Sequence, residues 1–325
     1  MTTILVSGAS GVVGYGTLKS LRQSELGYKL VGTTIYDDSV APAFCDIFEQ
    51  APLTSDEHYI DWLCGVIKKH NVDMIIPGIE ADMQKWNQER EAIQQSGVKI
   101  LLNNPDLVEL CSDKWIFYQK LKQSSVHALA IESRLSGTFD ELCEDLGLPF
   151  LLKPRRGFAS KGIVKVDSEE VFTKHQQDLG EVVIAQPIVG NNEEEYTVSA
   201  FFDTDSALHC FMELKRKLSR EGFTEKALVV SLPGMEKAIR ELAGLLKPIG
   251  PTNFQFRVHD GQLKLLEINP RISSATSIRT AFGYNESMMS VEYFLHGTVP
   301  TQPNIRPGYA VRYIEEHIFY DSNTV

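Results

Sequence analysis

The sequence is short of the features that would tie a chain to a membrane, a secretory compartment or a polyanion. No run approaches the ~18 apolar residues needed to span a bilayer, and Met1-Thr2-Thr3 offers no basic segment ahead of an apolar one, so no membrane partner is expected and the cytoplasm is the expected location. Cys45, Cys64, Cys111, Cys143 and Cys210 are scattered without a C-x-x-C pair, which excludes a disulfide framework and a cysteine zinc site and leaves reduced core thiols. Lysine and arginine total 32 against 43 acidic residues, a net charge of −11, which argues against a nucleic-acid partner. There is no internal repeat and no low-complexity segment. What remains is ordinary for a folded globular protein, with 43% hydrophobic and 23% charged residues over a 325-residue chain. At ~150 residues per domain the length predicts about two domains.

Apolar runs at 3–7, 29–35, 72–76 and 98–102 alternate with helical patterns near 12–24, 55–70 and 80–96, and 36–54 reads as a polar stretch. That alternation predicts βαβ units and a parallel sheet. Asn104-Pro105 starts a short helix, and Ser112-Asp113 caps another through about 124. Beyond this junction, Thr138-Phe139-Asp140-Glu141 is a capping box before a helix, and strands follow near 149–153, 162–166 and 181–186. From 195 onward the runs at 195–203, 207–214, 226–231, 251–258 and 263–268 carry antiparallel signals, with helices near 234–247 and 285–296 and a closing strand over 308–314. The fold class expected is therefore α/β followed by α+β.

Gly8-Ala9-Ser10-Gly11-Val12-Val13-Gly14 follows a strand and opens a helix, a setting that can bring backbone against a phosphate. Asp37 and Asp38 lie where an acidic residue could hold a ribose, and Tyr118 and Lys122 have the spacing of the Tyr/Lys pair in short-chain dehydrogenases, which keeps an NAD(P)-dependent alternative open. A tight turn between strand and helix prefers glycine without any cofactor, and a Tyr/Lys pair is common on helix faces.

The second half carries a different chemistry. Period-two alternation places Gln255 with Arg257 on one strand face, and Glu267 with Asn269 on one face of the next strand. An odd loop length through Asp260-Gly261 would make these polar faces coincide, whereas a two-residue turn would set Gln255 and Glu267 on opposite sides. A carboxylate beside two carboxamide oxygens is a hard-oxygen set suited to Mg²⁺ with phosphate and water, and Arg271 adds a cation. Lys153 ends a strand before the glycine-containing segment 154–162, which is suited to cover a polyphosphate, although no Walker A spacing occurs.

Taken together, these residues resemble the ATP-grasp superfamily, and within it the branch related to the synthetase domains of carbamoyl-phosphate synthase. Glu267-Ile268-Asn269-Pro270-Arg271 looks like that branch's E-x-N-P-R metal segment, Asp113-Lys114 like the D-K opening the ATP-grasp region, and Glu195-Tyr196-Thr197-Val198 like its E-Y-T-V. The resemblance implies an N-terminal pre-ATP-grasp, Rossmann-like domain over 1–111, a lid over 112–187 and a nucleotide- and metal-binding unit over 188–325. It implies Gln255, Glu267 and Asn269 as ligands of Mg²⁺, with Mn²⁺ as the alternative ion. ATP would be bound by Lys114, Lys153, Gly157, Ser160, Gly162, Gln186, Ile188 and Glu195, the ribose contact lying among Glu193, Glu194 and Glu195. Arg271, Arg216 and Lys226 would serve the transferred phosphoryl group. Pro187 departs from the acidic residue often found in the family's hinge.

The activity implied is an ATP-dependent ligase that joins a small carboxylate to an amine through an acylphosphate, probed against a carbamoyl-phosphate-like kinase or carboxylase acting on bicarbonate or carbamate. A homodimer is expected from the same resemblance. Ser273-Ser274-Ala275-Thr276 and Arg279 are candidates to line the acceptor pocket, with Arg279 directed at a substrate carboxylate.

Overall fold

A computed structural model describes residues 1–157, 162–191 and 193–320. The first unit contains β1 (Thr3–Val6), α1 (Val12–Leu21), β2 (Lys29–Thr34), β3 (Ile47–Gln50), α2 (Tyr59–His70), β4 (Met74–Ile76), α3 (Glu80–Gln88), α4 (Arg90–Gln94) and β5 (Lys99–Ile100). Its strands form a parallel sheet in the order β3-β2-β1-β4-β5. β3 falls in the stretch read as polar. It is a half-buried edge strand with two apolar residues, too short to show alternation. The helix expected over 80–96 is broken at Glu89 into α3 and α4.

The glycines after β1 are explained by packing. Gly8 has φ +57°, and a Cβ on Gly14 would fall inside the Gly8 backbone, while one on Gly78 would strike the Ser7 carbonyl. The connection from β4 to α3 therefore lies directly on the glycine turn, and the chain's own backbone uses the close approach that glycine permits. Asp37 and Asp38 are exposed beyond β2. Lys122 Nζ donates to Tyr118 Oη at 2.7 Å and to Glu132 at 2.8 Å, an ion-pair cluster on a helix outside this sheet. The glycines and the Tyr118/Lys122 pair are thereby accounted for by backbone packing and ion pairing.

Next come α5 (Pro105–Cys111), with Asn104 accepting from the Asp106 N–H, and α6 (Lys114–Lys122), with Asp113 accepting from the Trp115 N–H. The segment expected as a single lid divides here. Phe117, Leu121 and Val126 enter the core of the large sheet, because their apolar faces match it, and only the later residues build a small unit of their own. That unit contains α7 (Phe139–Leu146), opened by the Thr138/Glu141 capping box, β6 (Phe150–Pro154), β7 (Val164–Val166), α8 (Glu169–His175) and β8 (Val183–Pro187). Its sheet order is β7-β6-β8, with Leu142, Phe150, Leu152 and Phe172 in its core.

The large sheet is built from β9 (Glu195–Phe202), β10 (Leu208–Leu218), β11 (Thr224–Val230), α9 (Met235–Leu246), β12 (Gly250–His259), β13 (Gln262–Asn269), α10 (Thr276–Ala281), α11 (Glu286–His296) and β14 (Tyr309–Val311). The strand order is β13-β12-β9-β10-β11-β14, and all pairings are antiparallel. One face presents Val198, Ala200, Phe202, Phe254 and Phe256 to Met235, Ile239 and Leu242 of α9. At ~25 cal/mol per Å² of apolar surface removed from water, these side chains hold α9 to the sheet. The opposite face is polar where it meets the small unit.

Candidate active site

The polar face depends on one irregularity. Asp260 and Gly261 have φ of +49° and +71°, a two-residue turn that pairs His259 with Gln262. Continued without interruption, that register would set Gln255 opposite Leu266 and leave Glu267 on the core side. A β-bulge at Leu266 shifts the pairing by one, so Gln255 lies opposite Glu267 and Asn253 opposite Asn269. The turn length taken as a marker of separated faces is thus present, and the bulge reverses its effect.

This face meets the small sheet across a cavity of about 360 Å³ lined by Lys114, Lys153, Gly157, Pro187, Val189, Glu195, Lys217, Gln255, Arg257 and Glu267. An adjoining pocket, sharing Lys114, Gly157, Leu266 and Glu267, adds Glu80, Cys111, Tyr118, Ile131, Gln186 and Asn269. Burial pushes the Lys153 ammonium down to about 8, with Glu267 opposing and Arg257 and Lys114 adding to the shift. Burial likewise lowers Lys114, against the pull of Glu267, Asp113 and Glu80. Lys114 Nζ donates to the Gly157 carbonyl at 2.9 Å and its backbone N–H to Arg155 at 3.0 Å, so the root of the segment after β6 is fastened to α6. Arg155 completes that join with a 2.8 Å ion pair to Asp113.

Of the candidate ATP-binding residues, Lys114, Lys153, Gly157, Gln186 and Glu195 line these two cavities. Ser160 lies outside the described residues. Ile188 and Gly162 do not line either cavity, while the flanking Pro187 and Val189 do. Gln186 Nε2 donates to Ser133 Oγ at 2.8 Å. Glu195 is buried, with Oε1 accepting from Arg216 at 2.9 Å and Oε2 from Arg257 at 2.8 Å. Glu194 is taken by Lys215 at 2.7 Å and by the Tyr196 hydroxyl, and Glu193 is exposed.

Three candidates occupy other positions than expected. Arg216 does not present its guanidinium to an open phosphoryl site: it is buried and donates to both Glu195 and Gln255. A buried guanidinium needs such partners, and its strand position opposite the acidic β9 residue supplies them. Lys226 is exposed on β11 and lines neither cavity, because β9 and β10 both stand between β11 and the β12–β13 pair. Arg279 faces no pocket. It is fully buried, bonded to Glu286 at 3.1 Å, to Ser273 at 2.8 Å and to Thr197 at 2.9 Å, and so fixes α10 and α11 to the sheet. Arg271 lines neither cavity; it lies behind two residues of the adjoining pocket, with Nε donating to Glu80 at 2.9 Å and a terminal nitrogen to Asn269 Oδ1 at 3.3 Å.

Glu267, Gln255 and Asn269 bring one carboxylate and two carboxamides together on cross-strand neighbours; Gln255 Oε1 accepts from Arg216, Asn269 Oδ1 from Arg271 at 3.3 Å, and Glu267 Oε1 from Asn269 Nδ2 at 3.1 Å, so a metal ion would take the two carboxamide oxygens from the two guanidinium groups. Among the described residues no group of three His, Cys, Asp or Glu gathers to hold a metal unaided. The donor chemistry fits Mg²⁺, which keeps several waters and accepts phosphate oxygens beside one or two carboxylates.

Sequence reasoning passed over Arg257 and Glu80 as site residues. Arg257 shares the period-two face of Gln255, a signal that was available. Glu80 follows β4, and carboxyl ends of parallel strands are where open α/β sheets bind ligands.

Residues 187–317 match the family described as ATP-grasp in the biosynthetic pathway with Ter operon, and residues 16–101 match the PylC-like N-terminal domain. A carbamoyl phosphate synthase large chain of Methanosarcina acetivorans is 24% identical over 262 residues, covering 72% of this chain and 24% of that protein. The chain thus spans about a quarter of the length of such relatives. Among solved structures, the N5-carboxyaminoimidazole synthetase of Staphylococcus aureus complexed with ADP superposes with a TM-score of 0.73 at 18% identity, covering 94% of this chain and 80% of that one. The L-amino acid ligase of Bacillus licheniformis gives 0.67 at 17% identity, over 94% and 78%. Among the described residues no helix is long and apolar enough to cross a membrane.

Proposed function

We propose that this chain, whose residues 187–317 match an ATP-grasp family and 16–101 a PylC-like N-terminal domain, is an ATP- and Mg²⁺-dependent ligase forming a C–N bond between a small carboxylate and an amine. The observation that carries this is the convergence of Lys114, Lys153, Gln255 and Glu267 on one cavity between two sheets. Gln255, Glu267 and Asn269 would hold Mg²⁺, which when bound neutralises phosphate charge. Lys153 and Lys114 orient the phosphates, and Arg271, steadied by Glu80, faces the transferred group. Phosphoryl transfer needs mainly such positioning and charge compensation.

A carboxylate oxygen attacks the γ-phosphorus, the bond to the bridging oxygen breaks and ADP leaves. The ammonium first passes one proton to water; the freed amine nitrogen then bonds to the acyl carbon while the C–O bond to phosphate breaks, and a second proton departs with phosphate. The sheets exclude bulk water, which would otherwise hydrolyse the acylphosphate. We assign the two sheets flanking the cavity as its walls, with residues 112–187 and 188–325 contributing one each, the protein working as a cytoplasmic homodimer.

Pairs of amino acids and small carboxylates, assayed for ADP release, test this. Glu267→Gln is expected to lower Mg²⁺-dependent turnover by about 100-fold or more, and full activity in that variant overturns the metal assignment. The names of the relatives favour a second possibility, a kinase or carboxylase acting on bicarbonate or carbamate, which would release ADP with bicarbonate and no amine.

A further inference from the structure

Cations dominate the described end of the cavity where phosphate would lie, yet an amine substrate arrives as an ammonium ion and must be taken out of water. Burying that charge unpaired is costly. Glu80 and Glu267 are the acids lining the pocket beside Asn269 and Lys114, and Glu195 farther along is engaged through both oxygens by Arg216 and Arg257. Glu267 belongs with Gln255 and Asn269 in the metal set. Glu80 is different. Its side chain is 22% exposed, Oε2 accepts from Arg271 at 2.9 Å, and among the described residues Oε1 meets the Gln84 amide at 3.5 Å, too long for a strong bond. The first unit therefore places a carboxylate oxygen with spare accepting capacity in the pocket it shares with Lys114, Glu267 and Asn269.

We propose that Glu80 binds the ammonium group of the amine substrate, which makes it an acceptor-specificity residue contributed by the N-terminal unit. This rests on the ligase activity proposed above. A charge-assisted hydrogen bond from ammonium to Oε1 would hold the nitrogen near the acyl carbon while Oε2 keeps Arg271 aimed at the phosphate.

The test compares two acceptors of equal size, methylamine, protonated near neutral pH, and hydroxylamine, uncharged there, with whichever amino acid supports ADP release as the carboxylate. Glu80→Gln is expected to raise KM for methylamine about tenfold and to change KM for hydroxylamine far less, with Glu80→Asp restoring the discrimination. Equal losses with both acceptors would mean that Glu80 acts only through Arg271, and an unchanged methylamine KM would remove it from acceptor binding; either result overturns the proposal. Wild-type protein that forms no hydroxamate from any carboxylate overturns the ligase activity instead, and so fails separately.

Discussion

Lys153 shows how one side chain can join the stability of the fold to the chemistry of the site. Its ammonium is held at about 8 by burial, against an ordinary 10.5. Between those values the unfolded chain keeps a proton that the folded one has lost, so this residue makes stability rise with pH across the window from about 8 to 10.5. Function runs the other way. Above about pH 8 the free protein increasingly lacks the charge that a phosphate needs, so on the proposed function ATP binding would draw a proton back onto Lys153. ATP binding at pH 8.5 should take up protons, seen by calorimetry in buffers of different ionisation enthalpy, and Lys153→Arg should abolish that uptake. The lysine was visible in the sequence because it ends an apolar strand before a glycine-containing segment. Arg216 was visible only as a basic residue, since a sequence does not show that Glu195 and Gln255 close around it.

At the level of elements, alternation made the strands and their polar faces legible, but pairing register was beyond it. The bulge at Leu266 leaves no compositional trace, because Leu265-Leu266 reads like any apolar pair in a strand. β3 escaped for the opposite reason, having too few apolar residues to alternate. β10 also carries an acid on its apolar face. Glu213 is buried, accepts the Leu232 N–H at 2.8 Å, and is pushed up to about 7 by burial. Its folded value lies above its unfolded one, so its contribution is complete below about 4.5 and is lost as pH rises through 7. Glu213→Gln keeps an oxygen for Leu232 and should stabilise the protein by roughly 1–3 kcal/mol at pH 8 with little effect at pH 4, measured by urea unfolding at both values.

Across the whole molecule, the N-terminal unit is fastened to the large sheet far from the cavity as well as at it. Gly16 of α1 lies where a Cβ would stand 3.2 Å from Thr276 Cγ2, Thr280 Oγ1 donates to Ser20 Oγ at 2.8 Å, and Asn285 Nδ2 to the Ser20 carbonyl at 2.9 Å. Glu80 and Arg271 join the same two units at the cavity. Gly16→Val should overpack the α1–α10 seam, cost about 1–3 kcal/mol and lower ADP release by disturbing Glu80 and Arg271, although no mutated atom touches a ligand. A thermal melt beside the ADP assay checks both effects, and a variant that loses stability with unchanged turnover would show the seam to be independent of the cavity.

The bulge has a consequence for how this protein can fail. Core and chemistry occupy alternate positions of the same hairpin, so a slip of one residue would turn Glu267 into the packing layer and bring Ile268 out toward the phosphates. On the proposed function, turnover would therefore report the strand pairing itself, because Gln255 and Glu267 share a face only with the extra residue at Leu266.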